Sequence, residues 1–408
     1  MTIDFSRRHI LGLMGATAAW MSCSGMAFAG APTANRFVFV NLRGAIDGLA
    51  AVPPYFDPHY NAARGAISTQ TDKQEGTCLP LDGKFMLHPS LPQFQSMFMA
   101  KEALVVHAVA SSYRERSHFN AQDILENGTD TAHSTQNGWL GRALAHITAA
   151  SGLAIGQTIP LVLRGSDAVS SWSPSFLPEP DSDLLQRLSM MYQHDPLLAR
   201  ALSEAEASST VADEAMGDDA MMGKPAKLGG KPGRSPGNNF PILAKAAGNF
   251  LAAPDGPRLA VLEIGGWDTH SNQGVFKGRL ADNLKHLDNG LANLRTALGS
   301  TWDKTIVVCM TEFGRAVAGN GTGGTDHGTG GAAFILGGAI MGGKVIADWP
   351  GLGDHQLYEN RDLRPTLDVR GVLKGVLAAH LGLDLAALNN TVFPNSATVN
   401  PLSGIVRT

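Results

Sequence analysis

The stretch Arg36-Phe37-Val38-Phe39-Val40-Asn41-Leu42 is apolar at five of its seven positions, on both alternating sets of side chains. A strand that is apolar on both faces belongs in a sheet covered on both sides, because a half-exposed strand alternates instead. Similar runs occur at Ala103-Leu104-Val105-Val106-His107-Ala108-Val109, Ile159 to Leu163, Leu259 to Ile264, Thr305 to Met310 and Ala332 to Leu336. Between them, helical patterns cover 118–127, 138–149, 182–206, 240–252, 278–299 and 366–382. Alternating strands and helices predict an α/β fold, a three-layer sandwich with a mainly parallel central sheet. In such sheets ligands collect at the carboxyl ends of the strands, which directs attention to the residues just after each run.

Composition narrows the function classes. The chain has 408 residues, 44% hydrophobic and 17% charged, which excludes a disordered chain. With 32 basic and 36 acidic residues it carries a net charge of -4, which excludes an electrostatic nucleic-acid binder. Three cysteines, Cys23, Cys78 and Cys309, form no CxxC pair, so neither a thiolate zinc site nor a disulfide scaffold is expected.

The first 29 residues read as a leader. Ser6-Arg7-Arg8-His9-Ile10-Leu11 places paired arginines before an apolar stretch, and Ala27-Phe28-Ala29 supplies a small-residue cleavage site. The arrangement resembles a twin-arginine (Tat) signal, which implies recognition by the Tat export machinery and a periplasmic or secreted product. The alternative, an N-terminal membrane helix, is weakened by the Gly and Ser interruptions, and no later apolar stretch approaches the roughly 18 residues a span needs. Residues 30–408 then form the folded domain. Within it, 207–239 is polar, with an acidic half from Asp213 and a basic half from Lys224, and reads as a flexible insertion.

The strand ends carry metal-ligand residue types. Arg43-Gly44-Ala45-Ile46-Asp47-Gly48 follows the first strand, Gly265-Gly266-Trp267-Asp268-Thr269-His270 the strand ending at Ile264, and Thr311-Glu312-Phe313-Gly314-Arg315 the strand ending at Met310. A glycine-rich loop leads to Gly324-Thr325-Asp326-His327-Gly328. Oxygen and imidazole donors suit zinc, manganese or magnesium, and His favours the softer ions. Each motif alone has an ordinary explanation: Asp47 in a turn, Asp268 as a helix N-cap, Glu312 and Arg315 as an ion pair. Their recurrence after successive strands brings them to one edge. After the 103–109 run, Ser117 stands where a helix begins, as a cap or as a hydroxyl poised at a helix N-terminus. Arg114 and Arg116 beside it are candidates to hold the anionic oxygens of a phosphate or sulfate ester.

Together these motifs, with Arg116-Ser117-His118-Phe119-Asn120-Ala121-Gln122-Asp123 and Asp362-Leu363-Arg364-Pro365-Thr366, resemble a Tat-exported bacterial family known as domain of unknown function 1501. That family is similar to the alkaline phosphatase and sulfatase superfamily, and the resemblance implies an alkaline phosphatase-like fold over most of the mature chain. It implies metal ligands at Asp47, Asp268, His270, Glu312, Asp326 and His327, a nucleophile at Ser117, an anion contact at Arg116, and His118 as a ligand or substrate contact. Phe313 stands where the superfamily commonly has a histidine, which counts against a second metal. The Cys/Ser-x-Pro-x-Arg pattern of formylglycine sulfatases is absent around Ser117.

The expected function is an exported hydrolase or transferase of phosphate or sulfate esters, using one or two divalent ions. Its substrate would be a small molecule or a glycan ester, for which Trp139, Trp172, Trp267 and Trp349 are candidate sugar platforms. The alternative is a non-catalytic secreted binding or assembly protein that keeps the fold and one structural ion.

Overall fold

The computed structural model describes residues 34–70, 76–174, 182–196, 198, 199, 202, 203 and 239–407. The leader lies outside the described residues, as does the 207–239 segment apart from Asn239.

The Arg36–Leu42 run is a fully buried strand, β1, near the middle of a nine-stranded sheet. Chain order adds β2 (Leu79–Pro80) and β3 (Met86–Leu87), a small separate pair, then β4 (Ala103–Ala110), β5 (Gly152–Ile155), β6 (Val169–Trp172) and β7 (Leu259–Ile264). It continues with β8 (Thr305–Met310), β9 (Gly331–Leu336), β10 (Val345–Ile346) and β11 (Leu367–Asp368). The large sheet runs β10-β4-β9-β8-β1-β7-β5-β6, with β11 paired to the end of β4. β1 is parallel to both β7 and β8, and β9 is antiparallel to both of its neighbours.

Alternate residues of β1 face different cores. Val38, Val40 and Leu42 pack with Leu284, Leu287, Leu291 and Phe250 from the Phe240–Ala252 and Arg279–Leu298 helices. Phe37 and Phe39 pack on the other face with Leu373 and Leu377 of the Val369–Leu381 helix, and both set an edge against the Trp139 ring, 6.1 and 5.3 Å between centroids. Helices therefore cover both faces of the sheet, the three-layer arrangement expected from the apolar strands.

One expected strand is absent. Residues Leu161–Leu163 form a 3-10 turn, and the sheet edge is built instead from β5 and β6 on either side of it. Pro160 precedes the turn and has no backbone N–H to give a ladder, which explains the exclusion of this apolar run from the sheet. Among the described residues, no helix is long and apolar enough to cross a membrane.

The topology sets the site. β1, β4, β7 and β8 share a direction, so the loops leaving them emerge at one edge, and antiparallel β9 begins at that same edge. In β4 a bulge between His107 and Val109, with Ala108 at φ 53°, interrupts pairing just before the chain enters the 111–118 loop.

A capping contact ties two helices together behind the sheet. Asp288, buried in the Arg279–Leu298 helix, accepts the backbone N–H groups of Gln93 and Phe94 at 3.0 and 2.8 Å, where the Pro92–Met99 helix starts without a cap from its own N-cap residue. Asp288→Ala leaves those donors without an acceptor, and we expect it to cost about 1–3 kcal/mol, read as a lowered midpoint in thermal or urea unfolding. An unchanged midpoint would show that the contact carries no stability.

Candidate metal centre

Four donor atoms from three segments of the chain converge at the carboxyl edge. His118 Nε2 and His270 Nε2 each lie 2.9 Å from His327 Nε2. Asp268 Oδ1 is 3.0 Å from His270 Nε2, 3.2 Å from His327 Nε2 and 3.6 Å from His118 Nε2. A tetrahedral zinc shell with bonds of about 2.0–2.1 Å sets its donors roughly 3.3 Å apart, and the separations within His118–Asp268–His327 and within Asp268–His270–His327 are of that size. His118, Asp268 and His327 place ligand atoms within 4.8 Å of one another, and all three are half-buried.

The far side of each imidazole fixes its tautomer. His118 Nδ1 is 2.7 Å from Glu312 Oε1, His270 Nδ1 is 3.2 Å from Asp326 Oδ1, and His327 Nδ1 is 2.9 Å from the Arg116 carbonyl. Ionised carboxylates and carbonyls only accept, so each Nδ1 must carry the hydrogen. In the neutral ring the Nε2 lone pair is then bare. Three bare lone pairs and a carboxylate oxygen facing one another repel unless something positive sits among them. Acceptor-backed imidazoles are also how proteins orient metal-binding histidines.

Protons show the same demand. Burial alone would lower the His118 pKa, but its hydrogen bond to Glu312 and the charges of Glu312 and Asp268 outweigh that and raise it. His327 is lowered, by burial and by the charge of His118. Burial works to raise Asp268, yet the bond to Arg315 and its charge, with His270 and His118, bring it down. Glu312, fully buried, is likewise held low against burial, chiefly by its bond to His118.

These placements revise the sequence assignments residue by residue. Asp268, His270 and His327 stand at the focus, and His118 joins them in the ligand position, one of the two roles the resemblance implies for it. Glu312 and Asp326 stand behind His118 and His270, not beside them at the focus. Glu312 also accepts the Gly44 backbone N–H at 2.9 Å and the Thr311 hydroxyl at 2.8 Å.

Asp47 is elsewhere. Its Oδ1 accepts Ala50 N–H in a short helical turn, and its Oδ2 accepts Arg64 Nη2 at 2.5 Å and Gln273 Nε2 at 2.7 Å, all buried. Both of its oxygens are taken up by protein donors, and removing either partner of such a buried pair costs about 3–5 kcal/mol. It still reaches the focus indirectly. Gln273 Oε1 accepts the hydroxyls of Thr269 and Thr325, Thr325 Oγ1 accepts Arg315 Nε, and Arg315 Nη1 donates to Asp268 Oδ1 at 2.6 Å.

Arg116 commits its guanidinium to two carboxylates, donating to Asp362 Oδ2 at 2.8 Å and Glu359 Oε2 at 2.5 Å. Its backbone is left-handed at φ 60°, which for a residue with a Cβ costs about 1–2 kcal/mol. Ser117 occupies the N-cap position of the His118–Asn127 helix with extended φ/ψ, but its hydroxyl makes no capping bond. Phe313, in place of an imidazole, packs against His118 and His327, 4.8 and 5.3 Å between ring centroids. Trp139, Trp172 and Trp267 are buried, which removes them as sugar platforms, and Trp349 packs edge-on against Phe85.

Arg64, Gln273 and Asp362 were not anticipated. Only Asp362 carried a signal, inside the Asp362-Leu363-Arg364-Pro365-Thr366 motif.

The sequence profile of a family described as a protein of unknown function (DUF1501) matches residues 110–391. The chain belongs to that family. Comparison with curated proteins gives no match. Among solved structures, this DUF1501 member is similar to a putative sulfatase from Bacteroides thetaiotaomicron at 9% identity and TM-score 0.42, covering 90% of this chain and 75% of the other. It is also similar to the phosphonate monoester hydrolase of Agrobacterium radiobacter at 10% identity and TM-score 0.38, covering 86% and 74%. A protein in the alkaline phosphatase superfamily from Vibrio parahaemolyticus is similar at 10% identity and TM-score 0.37, covering 82% and 69%.

Close backbone packing holds the loops together. Gly44 has φ 117°, and a Cβ there would lie 2.7 Å from Asp268 N; one on Gly324 would lie 2.4 Å from the His270 carbonyl carbon. Gly44→Ala therefore has to push the Asp268 loop away while adopting a strained φ. We expect a loss of about 2–4 kcal/mol in unfolding experiments. A loss under about 0.5 kcal/mol, typical of a tolerant surface site, would contradict this packing.

Proposed function

We propose that this chain is an exported, metal-dependent hydrolase or transferase acting on phosphate or sulfate esters, with His118, Asp268, His270 and His327 as ligands. The observation that carries the reading is the convergence of three imidazole nitrogens, each backed across its ring by an acceptor, on one carboxylate oxygen. A donor set of three nitrogens and one oxygen favours zinc over manganese, and magnesium least. When bound, such an ion supplies Lewis acidity to an ester oxygen and lowers the pKa of bound water.

The chain's own residues do the rest. Glu312, Asp326 and the Arg116 carbonyl hold the rings in one tautomer, and Arg315 steadies Asp268. Ser117 offers an uncapped hydroxyl at the start of a ten-residue helix, where free amide N–H groups favour an anion. We assign it as the nucleophile. Export by the Tat pathway rests on the paired arginines Arg7 and Arg8 and the small residues before the cleavage point.

One observation favours a second reading. Four protein donors can close a tetrahedron, as structural zinc sites do, whereas catalytic sites keep a position open. A non-catalytic binding or assembly protein would use the site that way.

Stripping the protein with a chelator and adding back zinc or manganese tests both. The enzyme reading expects hydrolysis of p-nitrophenyl phosphate or sulfate to return with the ion and to fall about 100-fold or more in His327→Ala. Ser117→Ala should lose turnover and keep its unfolding midpoint. Zinc that raises the midpoint without producing turnover of either ester, in wild type and Ser117→Ala alike, supports the structural reading. Failure to bind zinc or manganese at all sinks both.

Protons compete for the same nitrogens. Because His118 holds its proton to a pH above the ordinary histidine value, zinc affinity should be flat at alkaline pH and fall as pH drops through that raised pKa. The fall should be about tenfold per pH unit for each proton displaced, measured by competition with a coloured chelator. Affinity independent of pH between 5 and 8 would contradict imidazole ligation.

A further inference from the structure

We propose that Arg116 and Asp362 act as a positioning pair that sets the tautomer and direction of His327. The inference rests on the metal reading above and adds residues that touch neither ion nor substrate.

The argument starts from the left-handed backbone of Arg116. That conformation aims its carbonyl at His327 Nδ1, 2.9 Å away. An unfavourable backbone persists only where its surroundings over-determine it. Here the guanidinium is tied on two sides: Nε to buried Asp362 Oδ2 and Nη2 to Glu359 Oε2, with the group 5.8 Å over the Tyr358 ring.

The other end of the tie is anchored too. Asp362 lies in a 358–362 turn closed by Asp362 N–H to the Tyr358 carbonyl at 3.0 Å, with Glu359 and Asn360 both at φ 53°. The turn bridges to Ala316, directly after Arg315. Arg361 completes the grip: its Nε donates to Asp362 Oδ1 at 2.9 Å and its Nη2 to the His327 carbonyl at 2.5 Å. His327 is thus held at its ring nitrogen and at its backbone oxygen by two arginines that share one carboxylate. His118 and His270 have carboxylates behind them, whereas His327 has only a peptide carbonyl, a weaker acceptor whose direction depends on the backbone that carries it. On this reading the charge of Arg116 serves to hold its own main chain.

The test uses the full chain, metal-stripped, at pH 8. Long-range proton–nitrogen NMR reads the tautomer of His327, assigned by the loss of its signals in His327→Gln, and chelator competition reads the zinc Kd. In wild type His327 should be the Nδ1–H tautomer. Arg116→Ala and Asp362→Asn should both give mixed tautomers and weaken zinc about 10–100-fold, the usual consequence of losing an outer-shell partner. Arg116→Gly, which takes the left-handed conformation freely, should stand between them and wild type. If Arg116→Ala does not fold, the near-isosteric Asp362→Asn carries the same comparison.

Unchanged tautomer and a zinc Kd within about twofold of wild type in both variants would overturn the positioning role. Absence of zinc binding by wild type itself overturns the metal reading instead, and the tautomer measurement then still decides whether Arg116 and Asp362 control the ring.

Discussion

Three imidazole rings hydrogen-bonded on one side to groups that can only accept must present unprotonated nitrogens on the other. When two of those nitrogens each lie 2.9 Å from the third, beside a carboxylate oxygen, positive charge relieves their mutual repulsion. Much of the surrounding structure serves this arrangement. Buried Glu312 backs one ring, Asp326 a second, the left-handed Arg116 a third, and buried Arg315 braces the carboxylate. Burial and the charge of His118 lower the proton affinity of His327, while Glu312 and Asp268 raise that of His118 against burial.

The sheet makes the convergence possible. β1, β4, β7 and β8 point the same way, so residues far apart in sequence leave it at one edge, and antiparallel β9 brings the 324–330 loop back to that edge. Loops this crowded must pack backbone on backbone. That explains part of the glycine content, 47 of 408 residues: Gly44 and Gly324 lie where a methyl group would collide with the main chain of the Asp268–His270 loop. The core enforces the geometry, since β1 is buried on both faces and fixes its two neighbours in register.

Much of this was legible in the sequence, for identifiable reasons. Strands apolar on both faces announce themselves, and β1, β4, β7, β8 and β9 lie where the runs placed them within a residue. The Ile159 to Leu163 run misled because apolarity ignores the missing N–H of Pro160. At the site, the rule that ligands follow strand ends found Asp268, His270 and His327. It could not separate a carboxylate that faces the cluster from one that stands behind an imidazole. Both roles require the same residue type at the same edge of the sheet, and Glu312 and Asp326 differ from Asp268 in which side of a ring they approach. Asp47 was indistinguishable from a ligand because its neutralising partner, Arg64, lies 17 positions away on a short helix with no motif of its own. The guanidinium of Arg116 was read as free because sequence gives no view of Asp362 and Glu359 closing on it.

The measurement that tests the central claim most directly is X-ray absorption of the zinc-loaded full chain, since it reports both the number and the kind of donor around the ion. The account predicts one ion per chain in a shell of nitrogen and oxygen donors with the outer-shell scattering of three imidazoles, one of them lost in His118→Ala. A shell of oxygens alone, or one unchanged when His118 is removed, would contradict it.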